Sequence, residues 1–229
     1  MNTKDFPGRV PGSGESPPGL LVALERPVPV LALPGFTLFP GTLVPLSAFE
    51  PEPCRTLAEC LADRRLLVLA AIDEPGPERP LFHVAGLGRI VSDRRHADGR
   101  IDAFIHGLAR VTLTNIEVGP HGLIADVALL PDAAQDATAE PGVRLIAVAS
   151  GLRQALAPIA PEEAEALSSL LCSTDDLGQL TYRIAATFVS DFAERQALLE
   201  QRCPSARCDA LAAHLGAALL MAVPVDVVH

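Results

Sequence analysis

The side chains able to do chemistry are few and scattered along this chain. Cys203, Cys208 and His214 are the residue types of a metal site, but their spacing is loose and no second ligand pair stands near them. Structural zinc takes four ligands, and Pro204 between two helical segments accounts for the same local composition, so no metal is expected. Gly86-Leu87-Gly88 begins like a dinucleotide fingerprint, yet the third glycine is missing and no helix follows. Glycines placed this way mark a bulge or a barrel corner in a strand. No G-x-S-x-G stretch is present, neither Ser13 nor Ser150 has a matching His/Asp pattern, and the six histidines lack H-E-x-x-H spacing. Lys4 is the only lysine and lies in a Pro/Gly/Ser-rich start, which removes a P-loop, a Ser-Lys dyad and a Schiff base. The pairs Glu162-Glu163 and Asp175-Asp176 fall at expected helix starts, where negative charge meets the helix dipole. The expectation is a chain with no catalytic residue and no cofactor.

Composition narrows the class further. The 229 residues are 49% hydrophobic, enough for a sizeable core, and carry a net charge of -10 with a pI near 5.0. That balance opposes nucleic-acid binding, which draws on Lys and Arg to neutralise phosphates. The basic runs Asp63–Arg65 and Ser92–Arg100 read as solvated faces or turns. The first residues lack a secretory pattern, and no apolar run approaches the roughly 18 residues a membrane span needs. Five cysteines, an odd number, suit free thiols in a reducing compartment. A cytoplasmic protein is expected.

The elements that must position any site change period along the chain. Residues 1–26 read as a flexible Pro/Gly-rich tail, and residues 27–131 have strand periodicity. One short amphipathic helix interrupts the strands, with Leu57, Cys60 and Leu61 at spacings of three and four, and is expected to cover one end of a sheet. Asp98-Gly99 between β-rich runs predicts a type I′ hairpin, and Ile101, Ala103 and Ile105 define an apolar face on the returning strand. With no βαβ rhythm, the prediction is a small antiparallel barrel or sandwich. After a linker at 132–142, residues 143–223 turn helical. Leu145, Val148, Leu152 and Leu156 form one stripe, and Leu177, Leu180, Ile184 and Phe188 another.

Four blocks then fall in a familiar order: "LPGFTLFPGTLVPLSAFEP" (Leu33–Pro51), "VAGLGRI" (Val84–Ile90), "DGRIDAFIHGLARV" (Asp98–Val111) and "ERQALLEQ" (Glu194–Gln201). From about Val28 to Leu220 the chain resembles the N-terminal, substrate-binding domain of Lon-type ATP-dependent proteases. Leu33, Pro34, Leu38, Phe39, Pro40, Gly41, Pro45, Leu46, Phe49 and Glu50 carry the first block. The chain departs from the family pattern at Pro51-Glu52-Pro53-Cys54 and at Ser47.

The resemblance implies an α+β fold: a PUA-like antiparallel β pseudo-barrel with one covering helix, followed by an all-helical bundle. It also implies a stand-alone module without the ATPase and peptidase domains, binding exposed apolar segments of unfolded or partly folded polypeptides, or docking as an adaptor on a protease or chaperone. Prolines deny the first block helix and continuous sheet. Most of its apolar side chains are expected to pack, with Phe36, Leu38, Phe39 and Pro40 as the polypeptide-binding candidates and Phe36 or Phe39 exposed. The alternative is a small-molecule or RNA binder using the cleft between barrel and bundle.

Overall fold

Six strands and seven helices follow one another in the computed structural model, which describes residues 18–72, 81–133, 140–173 and 176–222. Helix α1 (Pro18–Ala23) precedes β1 (Val28–Pro34) and β2 (Leu43–Ala48); then come α2 (Pro51–Ala62), β3 (Leu66–Ile72), β4 (Val84–Arg95), β5 (Ile101–Gly119) and β6 (Gly122–Leu129). The remainder is helical: α3 (Glu140–Leu156), α4 (Pro161–Leu171), α5 (Leu177–Phe188), α6 (Phe192–Glu200) and α7 (Pro204–Ala222). Residues 1–17 of the expected tail lie outside the described residues. From Pro18 onward the expected tail is part of the fold, because Leu20 of α1 is buried among the strands.

The sheet runs β2-β5-β4-β3-β1-β6, and a further pairing of β6 with β5 closes five of its strands into a ring. Strand β5 can serve three neighbours because it is 19 residues long and bends where its register slips between Thr114 and Glu117. The expected all-antiparallel sheet is corrected here: β1 and β3 are parallel, with Val30 opposite Val68. Parallel neighbours need a crossover connection, which β2 and α2 supply. The βαβ rhythm was disguised because the prolines of Leu33–Pro51 and the short edge strand β2 intervene between β1 and α2.

Side chains on the two faces of β3 go to different cores, which is why "LLVLAAI" is apolar throughout. Leu66, Val68 and Ala70 join Val28, Val30, Leu87, Val111 and Ala125 in a cluster drawn from all five ring strands. Leu67 and Leu69 face outward to Leu57 and Cys60 of α2, together with Ile90, Ile101, Ala103 and Ile105. Helix α2 thus covers the sheet as its spacing predicts, and Thr56 Oγ1 donates to the His121 carbonyl at the β5–β6 turn. The β4–β5 hairpin forms at Asp98-Gly99, but only Gly99 has positive φ (+89°). Gly99 N donates to the His96 carbonyl, and His96 N to that of Arg100. This pairing belongs to a three-residue loop with a terminal left-handed glycine, not to the expected type I′ turn.

The helical residues assemble a third core from Leu145, Leu152, Leu167, Leu180, Ile184, Leu198 and Leu211, with Phe39 of the β1–β2 connection inserted among them. Helices α5 and α6 are capped by Asp176 Oδ1, which accepts from Gln179 N, and Asp191 Oδ1, which accepts from Glu194 N. Asp191→Ala is expected to cost about 1 kcal/mol in urea unfolding, the usual loss for an N-cap carboxylate. All five cysteines are free. Burial pushes the Cys60 thiol up to about 12 and that of Cys208 to about 11, whereas Cys172 is exposed. A disulfide reagent should label Cys172 rapidly in the native protein and reach Cys60 and Cys208 only on denaturation.

Candidate binding cleft

The segment Phe36–Pro40 is held where strands and helices meet. In an extended backbone consecutive side chains point to opposite sides. Leu38 enters the core shared by α2 and the sheet, and Phe39 enters the helical core. Room for the segment comes from glycine: a Cβ at Gly86 would collide with the Leu38 carbonyl oxygen, and one at Gly107 with that of Phe39. Gly88 faces Leu38 and Ile105 and adjoins the register shift after Leu87. The Gly-Leu-Gly stretch is therefore both a bulge and a saddle for a second backbone.

Leu38, Phe39 and Pro40 are buried, and Phe36 is half-buried. Phe39 is thus not the exposed residue the sequence reading allowed, because the helical core has a place for its ring. Phe39 stacks on Tyr182, centroids 6.0 Å apart, and the Arg195 guanidinium lies over the Phe39 ring at 5.7 Å. Leu43 and Phe49 are exposed in its stead, Phe49 beneath Arg100.

Arg195 also lines a cleft of about 310 Å³ that opens between the β1–β2 connection and helices α4, α5 and α6. Leu43, Val44 and Leu170 supply apolar walls, and Thr37, Arg183 and Arg195 supply polar ones. Thr37 is 2% exposed, yet its Oγ1 has no hydrogen-bond partner, and the same is true of Arg183 Nε and Arg195 Nε. Arg183 Nη1 donates to Ser173 Oγ, and Arg195 Nη2 to the Thr37 carbonyl. Neither guanidinium forms an ion pair with a described carboxylate. Burial lowers the pKa of Arg195, and of His106 beside the cleft, where the charges of Arg89 and Arg183 add to the effect. The site is a small basic recess in an acidic protein.

Strand β2 forms the recess's outer lip and is paired on one side only among the described strands. Gly107 N donates to the Thr42 carbonyl, and Val44 lies opposite Ile105. The alternation of an antiparallel ladder then turns the backbone groups of Val44 and Leu46 toward β5, leaving those of Leu43, Pro45 and Ser47 at the free edge. Pro45 offers no N–H there, so the edge is competent at Leu43 and blunted beyond it.

A second polar cluster joins the two parts of the chain and is filled by its own partners. Asp132 Oδ1 accepts from Arg110 Nη2 at 2.6 Å and Arg207 Nη1 at 2.7 Å, and Oδ2 from Arg207 Nη2 at 2.7 Å. Tyr182 OH donates to Oδ1, and the Arg207 guanidinium lies 4.3 Å from the Tyr182 ring centroid. Burial pushes the Asp132 carboxyl up, but hydrogen bonds from Arg207 and the two guanidinium charges outweigh it, so its pKa lies below the ordinary value. Of the cysteine and histidine trio weighed for metal, His214 instead contacts Glu194 and the Phe188 carbonyl. No three metal-ligating side chains converge among the described residues.

Residues 27–216 match the family model of the ATP-dependent protease La (LON) substrate-binding domain. This chain belongs to that family. Lon protease 1 of Herpetosiphon aurantiacus is 24% identical over 180 residues, covering 76% of this chain and 22% of that protein. Lon protease 2 of Myxococcus xanthus is 25% identical over 194 residues, covering 81% and 23%. The chain spans under a quarter of the length of these Lon relatives. Among solved structures, the N-terminal domain of the Mycobacterium avium complex Lon protease superposes with a TM-score of 0.65 at 21% identity, covering 83% of this chain and 98% of that one. The Lon N-terminal domain protein from Xanthomonas campestris gives 0.59 at 19%, covering 82% and 98%. These likenesses show that the fold is that of Lon N-terminal domains.

Arg183 and Arg195 escaped the sequence reading, although Arg195 lies inside the Glu194–Gln201 block that carried the resemblance. The available signal was Arg195 among Phe192, Leu198 and Leu199 at helical spacing, whereas Arg183 has Gln179 and Thr187 four residues to either side and gave no signal. Arginine is common on helix surfaces, and only the fold turns both toward one recess.

Proposed function

We propose that this chain is a non-catalytic recognition module that binds exposed apolar segments of unfolded or partly folded polypeptides at the cleft between β2 and helices α4–α6. The observation that carries the reading is the recess itself: apolar walls at Leu43, Val44 and Leu170, unpartnered polar atoms on Thr37, Arg183 and Arg195, and a free strand edge at Leu43. A polypeptide supplies all three complements, apolar side chains for the walls, carbonyl and carboxylate oxygens for the donors, and a backbone for the edge. Membership of the substrate-binding family and the Lon relatives support the same reading.

Phe36 packs on the core shared by α2 and the sheet and does not line the cleft, so in this proposal Phe36, Leu38, Phe39 and Pro40 all act as supports, holding the lip and Arg195 in place. We read the strand ring as PUA-like and the helical part as a bundle, joined by the chain between β6 and α3; the helix begins at Glu140, inside the expected linker. A protease or chaperone is a natural second partner for such a module, and the cytoplasm is the setting that suits its free thiols. The test is fluorescence anisotropy with a labelled, permanently unfolded polypeptide. Saturable binding weakened several-fold by Leu43→Asp, an exposed position whose substitution should leave the fold intact, is the expected result. Absence of binding at high micromolar concentration to that polypeptide and to a varied peptide panel would end the proposal. Asp in place of Phe39 is unsuitable, since it buries a carboxylate in the helical core.

A further inference from the structure

We infer that the cleft captures the C-terminal carboxylate of a polypeptide, with Arg183, Arg195 and Thr37 as its donors and the last residues of the peptide lying antiparallel along β2 at Leu43. The inference rests on the polypeptide-binding reading and specifies which part of the polypeptide is held.

Three observations lead to it. The first is charge: two guanidinium groups line one recess without a described carboxylate partner, in a chain whose net charge is -10. The fully buried arginines, Arg110 and Arg207, are by contrast both neutralised by Asp132. A planar, fork-shaped donor is suited to a carboxylate, and a hydrogen bond with both partners charged is stronger than a neutral one. The second is the Thr37 hydroxyl, almost wholly buried, unpartnered and at the cleft wall. A buried donor with no acceptor is costly, and a bound oxygen relieves it.

The third observation is direction. Strand β2 starts at Leu43, beside the cleft, and runs away from it to Ala48. A peptide laid antiparallel on its free edge therefore runs toward the cleft and ends there with its C-terminus. Pro45 has no N–H to give, so pairing is confined to the peptide residues nearest that end. Beyond Leu43 the cleft is lined by Arg183, Ala186, Thr187 and Arg195 of α5 and α6, with no described strand edge on which a peptide backbone could continue its pairing. Leu43, Leu170 and Ala186 then receive an apolar terminal side chain.

The experiment uses N-terminally labelled decapeptides with an uncharged, apolar-rich body ending in Leu, in three forms: free acid, C-terminal amide, and C-terminal amide with one internal Glu. Anisotropy titration should give a dissociation constant at least about tenfold lower for the free acid than for either amide, the scale of one charge-assisted hydrogen bond. The preference should collapse in Arg183→Gln and shrink in Thr37→Val, both checked for an unchanged thermal midpoint. Equal affinity of free acid and amide overturns the inference while leaving polypeptide recognition standing. An internal-Glu amide that matches the free acid overturns the assignment to the chain terminus. Loss of binding for all three forms, or binding of a short oligouridylate in place of any peptide, overturns the inference together with the reading beneath it. Should Arg183→Gln fail to fold, the comparison of acid with amide on the unaltered protein still decides.

Discussion

Asp132→Ala is expected to destabilise the protein by about 3–5 kcal/mol, the usual result of stripping the partner from buried charge. Two guanidiniums depend on that carboxylate, with side chains only 2% (Arg110) and 1% (Arg207) exposed. Backbone carbonyls of Leu199 and Gln201 satisfy some of their N–H groups, but they supply no countercharge. The cluster also ties β5 and the chain after β6 to α5 and α7, so its loss loosens the strand ring from the helices and with it the walls of the cleft. Urea unfolding measures the loss. Asp132→Asn keeps the shape and removes the charge, and it isolates the electrostatic share.

The pH dependence of that share has a definite sign. The folded-state pKa of Asp132 lies below its ordinary value of 3.8, so the folded protein holds the proton less tightly than the unfolded chain. Its contribution is fully present above the unfolded value and is lost as pH falls through the folded one. The stability difference between the unaltered protein and Asp132→Asn should hold constant from neutrality to about pH 5 and shrink below pH 4. A difference that grew on acidification would show that Asp132 is not held as the anion.

Gly107→Ala is the second large effect, expected to cost about 3 kcal/mol, at the upper end of overpacking penalties. The added methyl meets a backbone carbonyl, that of Phe39, which cannot rotate aside as a side-chain end can. Relief requires the Leu38-Phe39 segment to lift, and because these two residues pack into different cores, lifting one disturbs both. Gly86→Ala should behave alike through the Leu38 carbonyl. Gly216→Ala is the matched control: in α7 its Cβ would meet only Val148 Cγ1 at 4.0 Å. That change should raise stability by up to about 1 kcal/mol through helix propensity. Thermal melts of the three variants give the comparison directly.

The fold's two periods were legible because burial leaves a mark on composition. Alternation in Ile101–Ile105 and the stripes of α3 and α5 correspond to faces that enter cores. The parallel pairing of β1 with β3 was not legible, since strand direction is a property of the connection, and here that connection contains a short strand and a Pro-rich turn before its helix. The hairpin was located correctly at Asp98-Gly99, but its type depends on how many residues lie between the last ladder bonds, which composition does not record. At the cleft, Leu33–Pro51 is recognisable as special, yet its sequence leaves open whether Phe36 or Phe39 faces outward. An aromatic in an irregular segment gives no periodicity from which to infer a facing side. The donors that matter, Arg183 and Arg195, are 12 residues apart on separate helices, and Thr37 lies far from both in sequence. Their meeting is a product of tertiary structure alone.

Polypeptide recognition at this cleft can be read directly from a chemical-shift titration of the isotope-labelled protein with an unlabelled, permanently unfolded polypeptide. Saturable shifts clustered on the amides of Thr37–Val44 other than Pro40, of Arg183–Thr187 and of Arg195 are expected, with the β4–β5 hairpin tip unmoved. Saturable binding whose shifts fall elsewhere, for instance around Phe49 and Arg100, with the cleft amides unchanged, would contradict it.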